Sequence, residues 1–363
     1  MNFVLDELED IQKVENYFDR LFSSVIVEAD EILYEKYLKA RSKSGFTRRK
    51  SGKSLVRIRG YIIPSDVAVV STTGIPMVPR IASNPAIQIH DDNVHIYLRL
   101  ASIGSVFSRT FIAVAESKIE NLRGRIKVEA HPILYGIMPY ECVEDPRVDP
   151  EDPGVLYHVR ALYRTRKSRV FTFQSHVKNR EVDKLEVISF YSKEWGVFLL
   201  QDYRDTFPIN RDYMMIRPFF KDRNFGVMAV GPRDGAKVNF DEMDVIPELL
   251  PSKDEYKTGG NASLKLSASE YLVLYHVVDN HGVYYTYAAL FDNSGELLAS
   301  TETPVIAPKV GVYSGGRPST VFVCGLALYD DKLLISAGRD DEITLIYEGE
   351  LEEIMEKMKF FEG

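Results

Sequence analysis

The sequence predicts an all-β chain with helical ends, and three observations carry that prediction. From about Leu55 onward the chain breaks into short runs rich in Val, Ile, Tyr and Phe, bounded by Gly, Pro, Asp and Asn. No long helical pattern interrupts these runs until "ELEEIMEKMKFF" near the end, which argues against parallel βαβ folds. One kind of phrase also recurs: "NVHIYLRLA", "GVLYHVRALY", "RDYMMIRPFF", "SEYLVLYHVVD" and "DDKLLISAGRDD". Each is a turn, an apolar strand, and a polar or charged residue near the strand's end. Five such phrases predict a five-bladed β-propeller, with a barrel or a large double sheet as alternatives.

The elements follow in order. Val4, Leu8, Ile11, Val14, Phe18 and Leu21 recur three or four apart, which predicts a helix over 4–21. A second helix is predicted over 29–43, packing through Ile32, Leu33, Tyr34, Tyr37 and Leu38. Leu8, Ile11, Phe18 and Leu38 are expected to be buried, with both helices outside the propeller against a neighbouring subunit, because an apolar stripe needs cover. Residues 41–59 are rich in Lys and Arg and free of acids. Their "GKS" lacks a glycine five residues before Gly52, so the phosphate-cradling loop pattern fails. A mobile basic linker is the plain reading, and an anionic-ligand rim or a subunit contact is the functional one. The predicted organisation is a helical extension with basic linker over 1–55, a propeller over 56–350 and a C-terminal helix over 351–363.

Composition narrows the function classes. The 363 residues are 45% hydrophobic and 27% charged, as in soluble globular proteins, and no run approaches the roughly 20 apolar residues of a membrane span. A net charge of −8 argues against a general nucleic-acid binder, which needs a cationic face. Two cysteines exclude a disulfide framework. The acidic start "MNFVLDELEDIQ" lacks the basic and apolar regions of a signal peptide, so the chain reads as cytoplasmic.

Arg99, Arg217, His276 and Asp341 close the recurring phrases, and in a propeller such positions converge on a central funnel. Singly, each has a plain structural reading: a surface arginine, a satisfied core histidine, a turn acid. Asp145 joins them from "YECVEDPRVDPEDPG", which reads equally as a solvated loop or as a rigid turn holding a catalytic acid.

Within that stretch, "VEDPR" resembles the signature of glycoside hydrolase family 130, the β-mannoside phosphorylases and related mannosidases. Other matches follow in the same order: "SNPAI", "YLRLA", "DTFPINRDYMMIRP", "YLVLYHVVDNHGVYYTYAALFD" and "VFVCGLALYDDKLLISAGRDDEITL". Together they span about residues 60–350. The resemblance implies a five-bladed propeller with the sugar in its axial funnel, and an inverting mechanism with one protein acid. Asp145 would be that acid. Asn84 and Arg99 would contact the mannosyl unit, and Asp341 the sugar hydroxyls. Arg217, His276 and Tyr284 would form the phosphate pocket. The family's lysine ahead of Phe-Pro is missing from "QDYRDTFP", where Arg204 is the candidate substitute. The implied partners are a β-mannoside oligosaccharide or glycoside and phosphate, with a homo-oligomer through the N-terminal helices. No cofactor other than phosphate as co-substrate is implied, and no His/Asp/Glu cluster has metal-ligand spacing.

The chemistry of the residues agrees with that allocation. Breaking a glycosidic bond requires a proton for the departing oxygen while the sugar gains oxocarbenium character. Phosphate is already an anionic nucleophile, so a phosphorylase dispenses with the base and needs cations to hold phosphate, a task suited to arginine's planar fork. Pro146 is expected to keep Asp145 extended and so fix the acid. The rival enzyme reading is an inverting hydrolase with Asp340 or Asp341 as base. The rival of another class is a non-catalytic carbohydrate-binding propeller.

Overall fold

The computed structural model describes residues 3–6, 9–50, 53–70, 74, 76–102, 109–164, 167–182, 184–308 and 316–361. The chain is mostly β, and its strands form five sheets of six, seven, seven, five and six strands. Five strands matter most for the site: β1 (Ile81–His90), β2 (Glu141–Val148), β3 (Phe207–Pro208), β4 (Glu255–Lys265) and β5 (Val321–Tyr329), one from each sheet. β1 packs against β2 and β5, β5 against β4, and β4 against β3. The early strand Arg57–Ile62 pairs antiparallel with Ile343–Glu350, so the start of the β region completes the sheet formed by its end.

Four of these strands break register with their own sheet neighbours. β1 shifts between Ser83 and Ala86, β2 between Glu144 and Arg147, β4 between Gly260 and Ala262, and β5 between Val323 and Gly325. A bulge adds a residue to one strand and re-aims its side chain. Here four bulges bring Asn84, Asp145, Asn261 and Cys324 toward one region.

The N-terminal helices are α1 (Ile11–Ser23) and α2 (Glu28–Arg41). Asp10 caps α1 by accepting from the amides of Gln12 and Lys13. Val4–Leu5 is a short strand paired with Leu185–Val187, where the sequence suggested helix. Phe18 is buried as expected, whereas Ile11 and Leu38 are 63% and 49% exposed. The real stripes are Val14, Tyr17, Phe18 and Leu21 on α1, and Ala29, Leu33, Tyr37 and Ala40 on α2, which leaves those two side chains on the wet face. Leu8 lies outside the described residues. The chain's own sheets cover both stripes: Phe18 meets Tyr140, Phe22 meets Phe171, and Tyr37 meets Phe225. The apolar stripes therefore require no second subunit.

The described part of the basic segment is pinned, in contrast to the mobile linker expected. The Arg48 side chain is buried and donates to Glu255 Oε2 at 2.7 Å, while Arg57 and Arg59 both bond Glu348. Gly52 of "GKS" lies outside the described residues. At the other end, α3 spans only Leu351–Met355, and Met358–Phe360 is a strand, correcting the helix predicted to 363. Its pairing with Leu297–Thr301 satisfies a sheet edge that a longer helix would leave open. Among the described residues, no helix is long and apolar enough to cross a membrane.

Candidate active site

Two adjoining clusters gather at the bulges. The first is acidic. Asp145 Oδ1 accepts from Asn84 Nδ2 at 2.8 Å and from Arg99 Nη1 at 3.1 Å, while Oδ2 has no hydrogen-bond partner among the described residues. Asn84 and Asp145 have φ of 46° and 51°, a left-handed conformation that L residues rarely adopt. This corrects the extended geometry expected for Asp145. Such a conformation costs on the order of 1–3 kcal/mol and persists only where the surroundings over-determine it. Here the two bonds to the carboxylate and a third, from Arg147 Nη1 to the Asp145 carbonyl at 3.0 Å, do so. Gly338 makes room for Asn84, because a Cβ there would lie 1.7 Å from Asn84 Oδ1.

The bulge also breaks strand alternation, so Glu144 reaches the same place. Arg99 Nη2 bonds its Oε1 at 3.2 Å. Burial raises the Glu144 carboxyl above the usual range; Arg99 opposes this and the neighbouring Asp145 charge adds to it. Asp341 Oδ1 lies 3.4 Å from Asn84 Nδ2 and 3.8 Å from Arg99 Nη1. The structure thus brings together all four residues assigned to sugar and acid. Asp340 is tied elsewhere, to Arg339 Nε and the Thr320 amide, both at 3.3 Å.

The second cluster is basic around a central anion. Asp205 accepts from Arg147 Nη2 and Arg217 Nε, both at 2.8 Å, with His276 Nε2 at 4.0 Å. Burial alone would raise the Asp205 carboxyl, but Arg217 and Arg147 outweigh it and hold it well below the usual range. Arg217 is buried, yet its two Nη groups bond nothing among the described residues. Gly259 allows this packing: a Cβ there would sit 2.6 Å from the His276 ring and 2.9 Å from Arg217 Cδ.

His276, which the resemblance places in the phosphate pocket, is held uncharged there. Burial pushes its pKa far down against the pull of Asp205, with Lys257 and Arg217 pushing the same way. Its tautomer follows from the network. Asn261 Nδ2 donates to the Val323 carbonyl at 2.6 Å, so Asn261 Oδ1, 3.1 Å from His276 Nδ1, is an acceptor. Nδ1 therefore carries the proton, and Nε2 is a buried lone pair with no partner.

Tyr284 stacks on His276 with centroids 5.5 Å apart and accepts from Lys257 Nζ at 2.7 Å; Arg317 lies 5.5 Å over its ring. Arg204 does not join this cluster directly. It pairs with Asp202 at 3.0 Å, although its charge acts on Glu144 and Asp205. Arg147 connects the two clusters, with one Nη on the Asp145 carbonyl and the other on Asp205. Among the described residues, no three His, Cys, Asp or Glu side chains could hold a metal ion.

Comparison with known proteins fits this geometry. The model of glycoside hydrolase family 130, described as beta-1,4-mannooligosaccharide phosphorylase, matches residues 46–360. The chain belongs to glycoside hydrolase family 130. A 1,2-beta-oligomannan phosphorylase of Thermoanaerobacter sp. (strain X514) is 25% identical over 253 residues, covering 67% of this chain and 79% of that protein. Among solved structures, a beta-1,2-mannobiose phosphorylase from Listeria innocua, in complex with beta-1,2-mannobiose, superposes with a TM-score of 0.59 at 17% identity, covering 77% of this chain and 92% of that one. A mannose phosphorylase from Leishmania mexicana, in complex with phosphate, gives a TM-score of 0.54 at 13% identity, covering 84% and 92%.

Beside the residues singled out from the sequence, this family 130 chain gathers Glu144, Asp205, Lys257, Asn261 and Arg317, which sequence reasoning missed. One usable sign existed: Gly259 and Gly260 stand inside a strand-like run two and three residues after Lys257, and glycines there mark a close approach of neighbouring groups.

Proposed function

We propose that the chain is a phosphorylase that cleaves β-mannosidic bonds with inorganic phosphate and inverts the anomeric centre, releasing α-mannose 1-phosphate. In this reading the five sheets are the blades of a propeller over about residues 56–350. Strands β1–β5 line its axis, and Arg57–Ile62 closes the last blade.

A phosphate oxygen attacks the anomeric carbon as the bond to the departing sugar oxygen breaks, and Asp145 gives that oxygen its proton. The unpartnered Oδ2 is the atom that carries it. Asn84, Arg99 and Asp341 hold the mannosyl hydroxyls. Arg217 holds phosphate through its free Nη groups, His276 Nε2 accepts the phosphate hydroxyl, and Tyr284 with Lys257 completes the pocket. Arg204 supplies charge from the edge.

The observation that carries the reading is Arg147, which joins one acid to one cationic pocket. A propeller that only bound sugar would have no use for an anion pocket fixed to an acid. The hydrolase alternative needs a second carboxylate set apart from the acid. Asp341 shares Asn84 Nδ2 with Asp145 and lies 3.8 Å from Arg99 Nη1, which disfavours it as a base set apart from the acid. Asp340 is tied to Arg339 and a backbone amide, which disfavours it as base.

The test is incubation with β-1,2- and β-1,4-mannobiose, with and without phosphate. Mannose 1-phosphate formed only with phosphate supports the proposal, and free mannose formed equally in both refutes it.

A further inference from the structure

The end of the basic segment walls a cavity of about 520 Å³, within the roughly 300–1,000 Å³ range of small-molecule sites. None of its described wall residues belongs to the Asp145 or the Asp205 cluster. The segment's side of the wall is fixed, because the Leu55 amide donates to the Val305 carbonyl at 2.9 Å and the Ala307 amide to Ser54 Oγ at 3.1 Å. The facing side is the end of the strand Lys332–Arg339 and the strand Ile343–Glu350, which carries Leu345 and Tyr347. Three cations, Lys53, Arg57 and Arg339, border the cavity with one acid, Asp340. That acid is already answered by Arg339 Nε and the Thr320 amide, both at 3.3 Å. Arg339 keeps its two Nη groups without a partner among the described residues. Arg57 gives Nη2 to Glu348 Oε1 at 2.8 Å, a carboxylate that also holds Arg59, and keeps Nη1. Apolar surface stands beside these cations: Val321 and Leu345 are buried, and Ile58 is 53% exposed.

We propose that this cavity is a second anion site, which binds a phosphomonoester carried on a hydroxylated ring, with the phosphate on the Arg57 and Arg339 guanidiniums and the ring against Tyr347 and the aliphatic wall. Two open guanidinium edges suit a phosphate, whose three terminal oxygens can each accept, better than a carboxylate with two. The aliphatic side chains and the Tyr347 ring offer a face for the apolar side of a ring. A ring hydroxyl can donate to Asp340, whose carboxylate accepts more bonds than the two it now receives. The strand-end position of the wall and its backbone bonds hold the site ready before a ligand arrives, which lowers the ordering cost of binding. Sugar phosphates and nucleoside monophosphates share this chemistry. The basic segment thus has a binding role as well as its part in packing, and that role is separate from the reaction proposed above.

The experiment titrates the full chain calorimetrically with mannose 6-phosphate, with adenosine 5′-monophosphate and with methyl phosphate. It uses wild type, Arg57→Gln, the double variant Arg57→Gln/Arg339→Gln and Arg217→Ala, each with a thermal melt. At least one of the two ring phosphates should bind wild type, and which one binds identifies the source. Its Kd should rise several-fold in Arg57→Gln and about tenfold or more in the double variant, and stay within about twofold in Arg217→Ala. Methyl phosphate, which lacks the ring, should bind at least about tenfold more weakly. Should the double variant melt below wild type, Arg57→Gln decides alone, since its side chain is largely exposed. No binding of either ring phosphate by wild type overturns the site, as does an affinity that Arg57→Gln leaves unchanged. Binding that falls with Arg217→Ala places the ligand in the reaction pocket and overturns it too. Equal affinity for methyl phosphate overturns the part given to the ring.

Discussion

The two halves of the site differ most in how deeply their side chains are buried. The acidic half is made of residues at turns and bulges, with Asn84, Asp145 and Asp341 all at positive φ and Asp341 partly exposed. The basic half is made of side chains sunk to near-zero exposure, Arg147 and His276 on strands and Arg217 just past one, around the buried Asp205, which neutralises part of their charge and is itself at positive φ. The difference follows from what each half must do. A proton donor needs an oxygen left open to a leaving group, and local backbone strain can aim it. A site for a multiply charged anion needs donors fixed against mutual repulsion, which takes burial and a counter-ion such as Asp205.

The largest effect that separates the halves belongs to Asp145. Asp145→Asn should lower turnover of mannobiose by roughly 10²–10⁴-fold, the scale of general-acid catalysis, with little change in KM for phosphate. An aryl mannoside with an activated leaving group should lose far less. If both substrates keep their turnover and only thermal stability drops, Asp145 is merely a turn residue.

Arg217 is next. Arg217→Ala should raise KM for phosphate on the order of 10²-fold, since truncating a buried charged pair costs about 2–5 kcal/mol. Asp205 then keeps only Arg147, so Arg217→Lys serves as the better-folded check and should show the same direction with a smaller size. A mannobiose KM that rises as steeply as that for phosphate would erase the division between the halves.

A subtler pair uses glycines. Gly259→Ala intrudes on His276 and Arg217, and Gly338→Ala on Asn84. The first should weaken phosphate saturation by several-fold, and the second should weaken mannoside saturation. The same kinetic defect in both variants would count against two separable clusters.

The smallest effect lies outside the site. His158 is buried against Phe173, and burial first, then Arg160, holds it uncharged, as burial does for His276. The unfolded chain takes up protons on such histidines near pH 6.5. The unfolded state therefore binds more protons below that pH, and stability is lost as pH falls from about 7 to 5. His158→Gln keeps an acceptor for Arg160 without titrating. It should shrink the drop in Tm between those pH values by a few degrees. An unaltered drop would show that His158 does not contribute to it.

The same contrast explains what was legible in the sequence. Asp145, Asn84 and Asp341 sit in short local phrases, "VEDPR", "SNPAI" and "GRDDE", whose turn chemistry is written in adjacent residues. Asp205 meets Arg217 across the Phe207–Pro208/Tyr213–Ile216 hairpin, and Lys257 meets Tyr284 across the intervening strand Glu270–Asp279 of one sheet; strand register sets both pairings, and no short local phrase encodes it. The strands were readable from alternation and turn residues. The reach of the C-terminal helix was not, because "EKMKFF" suits a helix by propensity while the open edge at Leu297–Thr301 draws it into a sheet. Likewise Arg48 gave no sign of burial, since its partner Glu255 is distant in the chain.

The nucleophile itself is open to direct test. Mannobiose can be turned over with phosphate labelled in heavy oxygen, and the products read by mass spectrometry and phosphorus NMR. Phosphorolysis requires that the α-mannose 1-phosphate keep every labelled oxygen, including the one bridging to the sugar, with one phosphate consumed per bond cleaved. Two mannose molecules per bond cleaved and no labelled mannose 1-phosphate, at a rate indifferent to phosphate, would contradict it.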